Sequence, residues 1–275
     1  MAYIITKASG IQQEFDPKKL RRSLKRVGAA RNLIEQIIRE IESHKPKTTH
    51  EIYQMAIEFL KKSNRPIAAR YNLKQALLEL GPAGYPFEKF VAEIFKHLGY
   101  QVQINQHIMG ECVEHEVDIV ASKDKQNDII ECKFHNQQGL ICDVKIPLYV
   151  KARFDDIKQA AQNNLKIPTI NNAWVVTNTR FSSQAIQYAE CVKINLIDWS
   201  YPRNNSLSRL IDRLKLHPIT ALTNITRRQK KELIEHGLIL CNDADKYASV
   251  LSDMGMKTLE IAEFIAEAQL VCAGK

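Results

Sequence analysis

Six residues, Gly81-Pro82-Ala83-Gly84-Tyr85-Pro86, constrain this chain more than any other stretch. Proline lacks the amide hydrogen a helix needs and glycine gives up the most backbone freedom, so no helix runs through all six. A new domain is therefore expected to begin there, and 275 residues leave room for more than one. The break also divides the charge. Of a formal net charge of +8, residues 1–80 hold 16 Lys/Arg against 8 Asp/Glu, residues 81–205 hold 13 against 14, and residues 206–275 hold 10 against 9. The excess positive charge lies before the break, where a polyanion such as a nucleotide or nucleic acid is the partner it favours, unless it is only a solvated face.

Before the break, Tyr3–Thr6 reads as a short strand with a turn at Ser9-Gly10. Asp16-Pro17 then opens a helix, the acid as cap and the proline in the first turn. Further helices are predicted over Leu33–Glu42, Thr49–Lys62 with a threonine cap, and Pro66–Leu80. After the break, Phe87, Phe90, Val91, Ile94 and Phe95 mark one face of a helix over Phe87–Leu98 that Gly99 ends. Strands follow at Tyr100–Ile104, Val117–Ser122 and Ile129–Phe134, the last two joined by the polar turn Lys123–Asp128. A helix around Asp155–Asn164, a strand Ala173–Thr177, a helix Ser182–Cys191 and a strand Ile194–Asp198 complete an α/β sandwich with a strand crossover. From Ser206 the pattern is helical again: Arg227–His236 capped by Thr226, Ala244–Asp253, and a last helix from Thr258 to Val271.

A composition that is 45% hydrophobic and 25% charged excludes disordered and fibrous classes. The longest apolar stretches, such as Ala173–Thr177 and Leu238–Cys241, are far short of the ~20 residues of a membrane span, and the first residues lack a basic-then-apolar signal layout, so a cytoplasmic protein without a membrane partner is expected. Cys112, Cys132, Cys142, Cys191, Cys241 and Cys272 form no CxxC pair, which argues against a zinc ribbon, a redox dithiol or a disulfide framework.

Chemistry concentrates at Asp118 and Glu131-Cys132-Lys133. Glu131 and Lys133 are two apart on one strand and so share a face, and an antiparallel neighbour can bring Asp118 to the same spot. Carboxylates among apolar residues can hold a hard divalent cation, which binds a phosphodiester oxygen and activates water, while an ammonium orients the water or meets developing negative charge. Glu88, one helix upstream, can add a further carboxylate. A surface hairpin carrying a Glu–Lys pair would leave the same trace in the sequence.

The stretch from Tyr85-Pro86-Phe87-Glu88 through Leu98-Gly99-Tyr100, His115-Glu116-Val117-Asp118, Glu131-Cys132-Lys133, Trp174-Val175-Val176-Thr177-Asn178 and Leu196-Ile197-Asp198 resembles the PD-(D/E)XK nucleases, and within them the Mrr-like type IV restriction endonucleases. The resemblance implies catalytic roles for Glu88, Asp118, Glu131 and Lys133. It also implies a Mg²⁺ or Mn²⁺ ion on Asp118, Glu131 and the Cys132 carbonyl, with Gln159 in support. Residue 117 is Val where proline is common. His115 and His135 flank the site. Ile5-Thr6-Lys7-Ala8-Ser9-Gly10, Phe15-Asp16 and Lys19-Leu20 resemble the ATP-cone, a nucleotide-sensing domain. That likeness implies ATP or dATP as effector, with Ile5 near adenine and Lys7 and Lys19 near phosphates. Ala8 stands where the cone usually has arginine, and no Walker or GxGxxG run occurs, as suits an allosteric site.

The chain is thus expected to be α/β, with a helical ATP-cone-like domain over 1–82, a restriction-endonuclease-like α/β sandwich with a mixed sheet over 83–205, and a small all-α region over 206–275. Arg227, Arg228, Lys230 and Lys231 of that last region are candidate phosphate contacts. The expected activity is metal-dependent hydrolysis of double-stranded DNA under nucleotide control, in restriction or defence, by a homodimer or higher homo-oligomer. Two alternatives stay open: a nucleotide-responsive DNA-binding regulator with an inactive nuclease fold, and a structure-specific repair or junction nuclease.

Overall fold

A computed structural model describes residues 3–164 and 169–273. At the N-terminus, β1 (Ile4–Thr6) and β2 (Gln12–Glu14) pair antiparallel, and the Tyr3 and Phe15 rings stack across the hairpin at 5.1 Å. Asp16 caps α1 (Pro17–Arg26) by accepting from Lys18 N–H at 2.9 Å, with Pro17 in the first turn where its missing donor costs nothing. α2 (Arg31–His44), α3 (Thr49–Ser63) and α4 (Arg65–Leu78) follow. Thr48 is the threonine that caps α3, accepting from Glu51 N–H at 3.1 Å. Leu20, Leu24, Ile34, Ile37, Ile38, Ile41, Ile57 and Leu60 recur at helical spacing and form one buried cluster. The Arg21 guanidinium grips Glu35 through two bonds of 2.8 and 2.9 Å and ties α1 to α2.

After the Gly-Pro run, α5 (Tyr85–His97) starts two residues earlier than expected, because Pro86 sits in its first turn. β3 (Gln101–Met109), β4 (Glu114–Lys123) and β5 (Gln126–Lys133) form an antiparallel meander. The β4–β5 turn is only Asp124-Lys125, both at positive φ (50° and 66°), the twist a two-residue hairpin requires. The expected polar turn Lys123–Asp128 is therefore mostly strand. β6 (Ile141–Cys142) is followed by α6 (Lys145–Asn163), which begins ten residues before the expected Asp155. Pro147 masks that start in the sequence, yet in the first turn of a helix its ring displaces no hydrogen bond. β7 (Asn172–Thr177), β8 (Arg180–Phe181), α7 (Ser183–Val192, capped by Ser182) and β9 (Asn195–Ile197) precede α8 (Leu207–Leu214).

The main sheet has the order β3-β4-β5-β7-β9, antiparallel as far as β5 and parallel beyond, which is the mixed sheet expected. Phe87, Phe90 and Phe95 of α5 are fully buried, and Phe95 meets Trp174 of β7 edge-on at 5.7 Å. Each such ring contributes about 2–3 kcal/mol by burial. Val150, Phe154 and Ile157 of α6, with Ala185 and Ala189 of α7, pack with Ile129, Val175 and Leu196 of the sheet.

The remaining chain forms a 3₁₀ turn at Ile219–Ala221, α9 (Arg227–Glu235), a 3₁₀ segment at Cys241–Tyr247, α10 (Ala248–Asp253) and α11 (Thr258–Ala273). Thr226 and Gln229 build a reciprocal capping box at the start of α9. The expected helix over Ala244–Asp253 is thus split, its first part wound tightly from Cys241, whose N–H is held by His217 O at 2.9 Å.

Packing groups the segments expected at 1–82, 83–205 and 206–275 into two compact units. Leu78–Leu216 is one compact unit, and Met1–Leu77 with His217–Lys275 is the other. α4 turns small residues, Ala69 and Ala76, toward Ile219, Leu222, Phe264 and Val271. Thr220 Oγ1 donates to Ala76 O at 2.7 Å, and Asn72 Nδ2 to Ala221 O at 3.4 Å. Small side chains let backbones approach this closely, and neither segment announces its partner locally. No helix among the described residues is long and apolar enough to cross a membrane.

Candidate active site

The β4–β5 ladder ends at Ile119↔Ile130, and Asp118 and Glu131 stand at the next step, where the strands part. There the ladder is replaced by a side chain: Asp118 Oδ2 accepts from the Cys132 N–H at 2.7 Å. The bond fixes the carboxylate beside Glu131. N–H and C=O of one residue point to the same edge of an extended strand, so the Cys132 carbonyl is directed toward this gap as well. On its other edge β5 is pinned by β7, with Glu131 opposite Val175 and Lys133 opposite Thr177. Thr177 Oγ1 donates to the Lys133 carbonyl at 2.7 Å, and Asn178 bonds both the N–H (2.9 Å) and the carbonyl (2.7 Å) of His135. The strand end carrying Lys133 is thereby held while its ammonium is exposed.

Glu88, in the first turn of α5, faces the same group. Burial first, and then the charges of Asp118, Glu116 and Glu131, push its carboxyl up to about 7. Burial also raises Asp118, against the Cys132 hydrogen bond and the nearby Arg153 and Lys133. Glu131 is raised by burial and by Asp118, against Arg153. The four residues expected to form the site are thus brought together. Two of them, Asp118 and Glu131, are mostly covered.

A residue the sequence reading missed completes the picture. Arg153 of α6 reaches Glu131, Nη1 to Oε2 at 2.5 Å, lies over the Tyr149 ring at 4.6 Å and donates to the Tyr149 hydroxyl. Gln159, expected to support the site from this helix, is exposed. An Arg–Tyr pair at i and i−4 was the only local signal, and it is common on helices. The chemistry of the acids suits a hard divalent cation, which prefers oxygen donors and would relieve their mutual repulsion. With Glu131 turned to Arg153, no three His, Cys, Asp or Glu side chains among the described residues already converge to hold one.

His115 and His135 serve structural ends. His115 Nε2 and Asp156 Oδ2 of α6 lie 2.7 Å apart, and Asp156 also accepts from the Cys112 N–H at 3.0 Å. Its carboxyl is held down at about 2 by the bond from His115 above all. The β3–β4 hairpin is thereby docked on α6, three residues beyond Arg153. His135 Nδ1 lies 3.0 Å from Thr179 Oγ1.

In the other unit, Ile5 is 3% exposed and packed in the core, so it offers no surface to a ligand as the structure stands. Lys7 lies at the exposed hairpin turn and Lys19 on the exposed first turn of α1. In the tail, Lys230 is spent on Thr220 O at 2.6 Å and Lys231 faces Glu235 at 3.6 Å, leaving Arg227 and Arg228 exposed.

Residues 82–200 match the family described as "Restriction endonuclease", the catalytic domain of the Mrr type, so the central unit carries a restriction-endonuclease domain. Residues 217–272 match the family described as "AF1548-like, C-terminal". An uncharacterized protein of Archaeoglobus fulgidus is 35% identical over 182 residues, 66% of this chain and 99% of that one. The crystal structure of the protein of unknown function AF1548 is similar at a TM-score of 0.56 and 34% identity, over 70% of this chain and all of that one. The chain belongs to the AF1548-like family. Neither family match reaches residues 1–81, which leaves the ATP-cone resemblance on the residues that carry it.

Proposed function

We propose that this protein is a divalent-metal-dependent endonuclease that hydrolyses phosphodiester bonds of double-stranded DNA, in restriction or defence, under control of ATP or dATP. One observation carries the reading: Asp118, Glu131 and Lys133 gather where β4 and β5 part, with Glu88 pressed against them, inside a restriction-endonuclease domain. Asp118, Glu131 and the Cys132 carbonyl would hold Mg²⁺ or Mn²⁺. When bound, the ion polarises the phosphate and lowers the pKa of water. The chain's own residues do the rest. Lys133 orients the attacking water and meets the charge developing on phosphate. Glu88, titrating near neutrality, can pass a proton at the pH at which it works. Arg153 neutralises Glu131 before the ion arrives. Lys7 and Lys19 would receive the nucleotide phosphates, and cutting both strands asks for two copies of the chain.

The regulator reading has one observation in its favour, the Arg153–Glu131 pair, which could replace an ion permanently. A repair or junction nuclease would share the chemistry and differ in substrate. Plasmid cleavage with Mg²⁺, with and without ATP or dATP, on methylated and unmethylated DNA separates them. Wild type should cut, and Asp118→Ala and Lys133→Ala should not, although both still bind DNA. If neither wild type nor variants cut but all shift DNA in a nucleotide-dependent way, the regulator reading replaces the nuclease. Lys7→Ala should weaken ATP binding in a titration; unchanged affinity removes Lys7 from the nucleotide site.

A further inference from the structure

Cysteine spacing argued against a redox dithiol, yet the fold assembles one candidate from three distant segments. The backbone at 217–219 runs beside that at 239–241: Cys241 N–H donates to His217 O at 2.9 Å, and Ile219 N–H to Ile239 O at 2.8 Å. α11 lays Cys272 on this crossing, where its thiol meets the Cys241 thiol and the backbone of His217. Cys241 is 2% exposed, its Sγ 3.3 Å from Pro218 O, while Cys272 is half-buried. A cavity of about 340 Å³ is lined by both sulfurs' residues together with Asp245, Ile265 and Gln269.

The two thiols are unlike. The bond from Cys241, and then His217, holds Cys272 below the ordinary thiol range against the effect of burial. Burial holds Cys241 far above it. Cys272 is therefore the reachable sulfur with the greater thiolate character, and Cys241 the protected one beside it.

We propose that Cys272 and Cys241 form a peroxide-reactive dithiol, with Cys272 attacking and Cys241 resolving. The Cys272 thiolate attacks the outer oxygen of a hydroperoxide. An S–O bond forms, the O–O bond breaks, and the alcohol or water leaves with a proton. Cys241 then loses its proton and displaces the hydroxyl of the Cys272 sulfenic acid as water. Two thiols and one peroxide give one disulfide, one alcohol or water and one water. The cavity has room for a small hydroperoxide, since a water occupies about 30 Å³ of liquid. The bridge would tie α11 to the segment that follows Leu240.

The test treats the full chain with one equivalent of hydrogen peroxide, alkylates the remaining thiols and maps unreduced peptides by mass. A peptide linked through Cys241 and Cys272 is expected. In Cys241→Ser the reaction should stop at a Cys272 sulfenic acid, captured by a 1,3-dione reagent. Oxidation confined to the exposed Cys112 and Cys191, with no linked peptide, overturns the proposal. The wild type supplies a readout that needs no variant: at pH 6 iodoacetamide should label Cys272 about threefold faster than free cysteine, allowing for its partial burial. Labelling slower than free cysteine overturns the attacking role of Cys272.

Discussion

Glu88→Gln should make the metal-free protein more stable at pH 8 while removing its activity. The Glu88 carboxyl titrates near 4.5 in the unfolded chain and near 7 in the fold. Between these values the folded state binds more protons than the unfolded one, so the contribution of Glu88 to stability falls as pH rises from about 4.5 to about 7 and is gone above. A displacement of that size corresponds to about 3 kcal/mol for a dry carboxyl; water reaches much of this one, which reduces the cost to about 1.5 kcal/mol. For a unit the size of Leu78–Leu216 that is about 5 °C in the midpoint of unfolding. Calorimetry of both proteins at pH 5 and pH 8 measures it. The variant should unfold about 5 °C above wild type at pH 8 and within about 1 °C at pH 5. Asp118 and Glu131 are displaced in the same direction, so wild type itself should gain stability on acidification from pH 8 to pH 5. Mg²⁺ should raise the wild-type midpoint more at pH 8 than at pH 5. Equal midpoints for the two proteins at pH 8 would refute the claim that partial burial and the neighbouring acids raise the Glu88 carboxyl.

Other substitutions probe the frame. Gly110→Ala would place a Cβ 2.0 Å from Asp156 Oδ2 and 2.8 Å from Val113 O, and should cost about 1–3 kcal/mol in urea titration as the hairpin lifts from α6. Its amide exchange at residues 111–115 should accelerate. Arg153→Met leaves Glu131 covered and unpaired, so it should destabilise by about 2–4 kcal/mol at pH 8 while tightening Mn²⁺ binding in a calorimetric titration. Unchanged Mn²⁺ affinity would mean that Arg153 does not compete for Glu131. Glu267 of α11 is 4% exposed and accepts from Thr223 N–H at 2.9 Å, Thr223 Oγ1 at 2.7 Å and Asn224 N–H at 3.1 Å. Glu267→Ala orphans those donors and should lower stability by about 2–4 kcal/mol, read in the same urea experiment.

Local rules made much of this protein legible in its sequence. Alternation and the 3.6-residue period marked the strands and most helices, and Asp16 and Thr226 cap where their short oxygen-bearing side chains suggested. Two residues apart on one strand means one face, so Glu131 and Lys133 were bound to go together, and Asp118 could be added through its neighbour. Where local rules conflicted, as at Pro147, the start of α6 was misplaced. What the tertiary structure alone decided concerns pairs that share no spacing: Arg153 on Glu131, Asp156 beside His115, and Cys241 with Cys272 at one cavity. The same holds for the union of 1–77 with 217–275, which depends on two small residues of α4 finding apolar partners far along the chain. Sequence periodicity reports which side of an element is apolar or charged. Which other element meets that side is settled by packing and desolvation over the whole fold, and both the pairing of Glu131 and the meeting of the two thiols arise at that level.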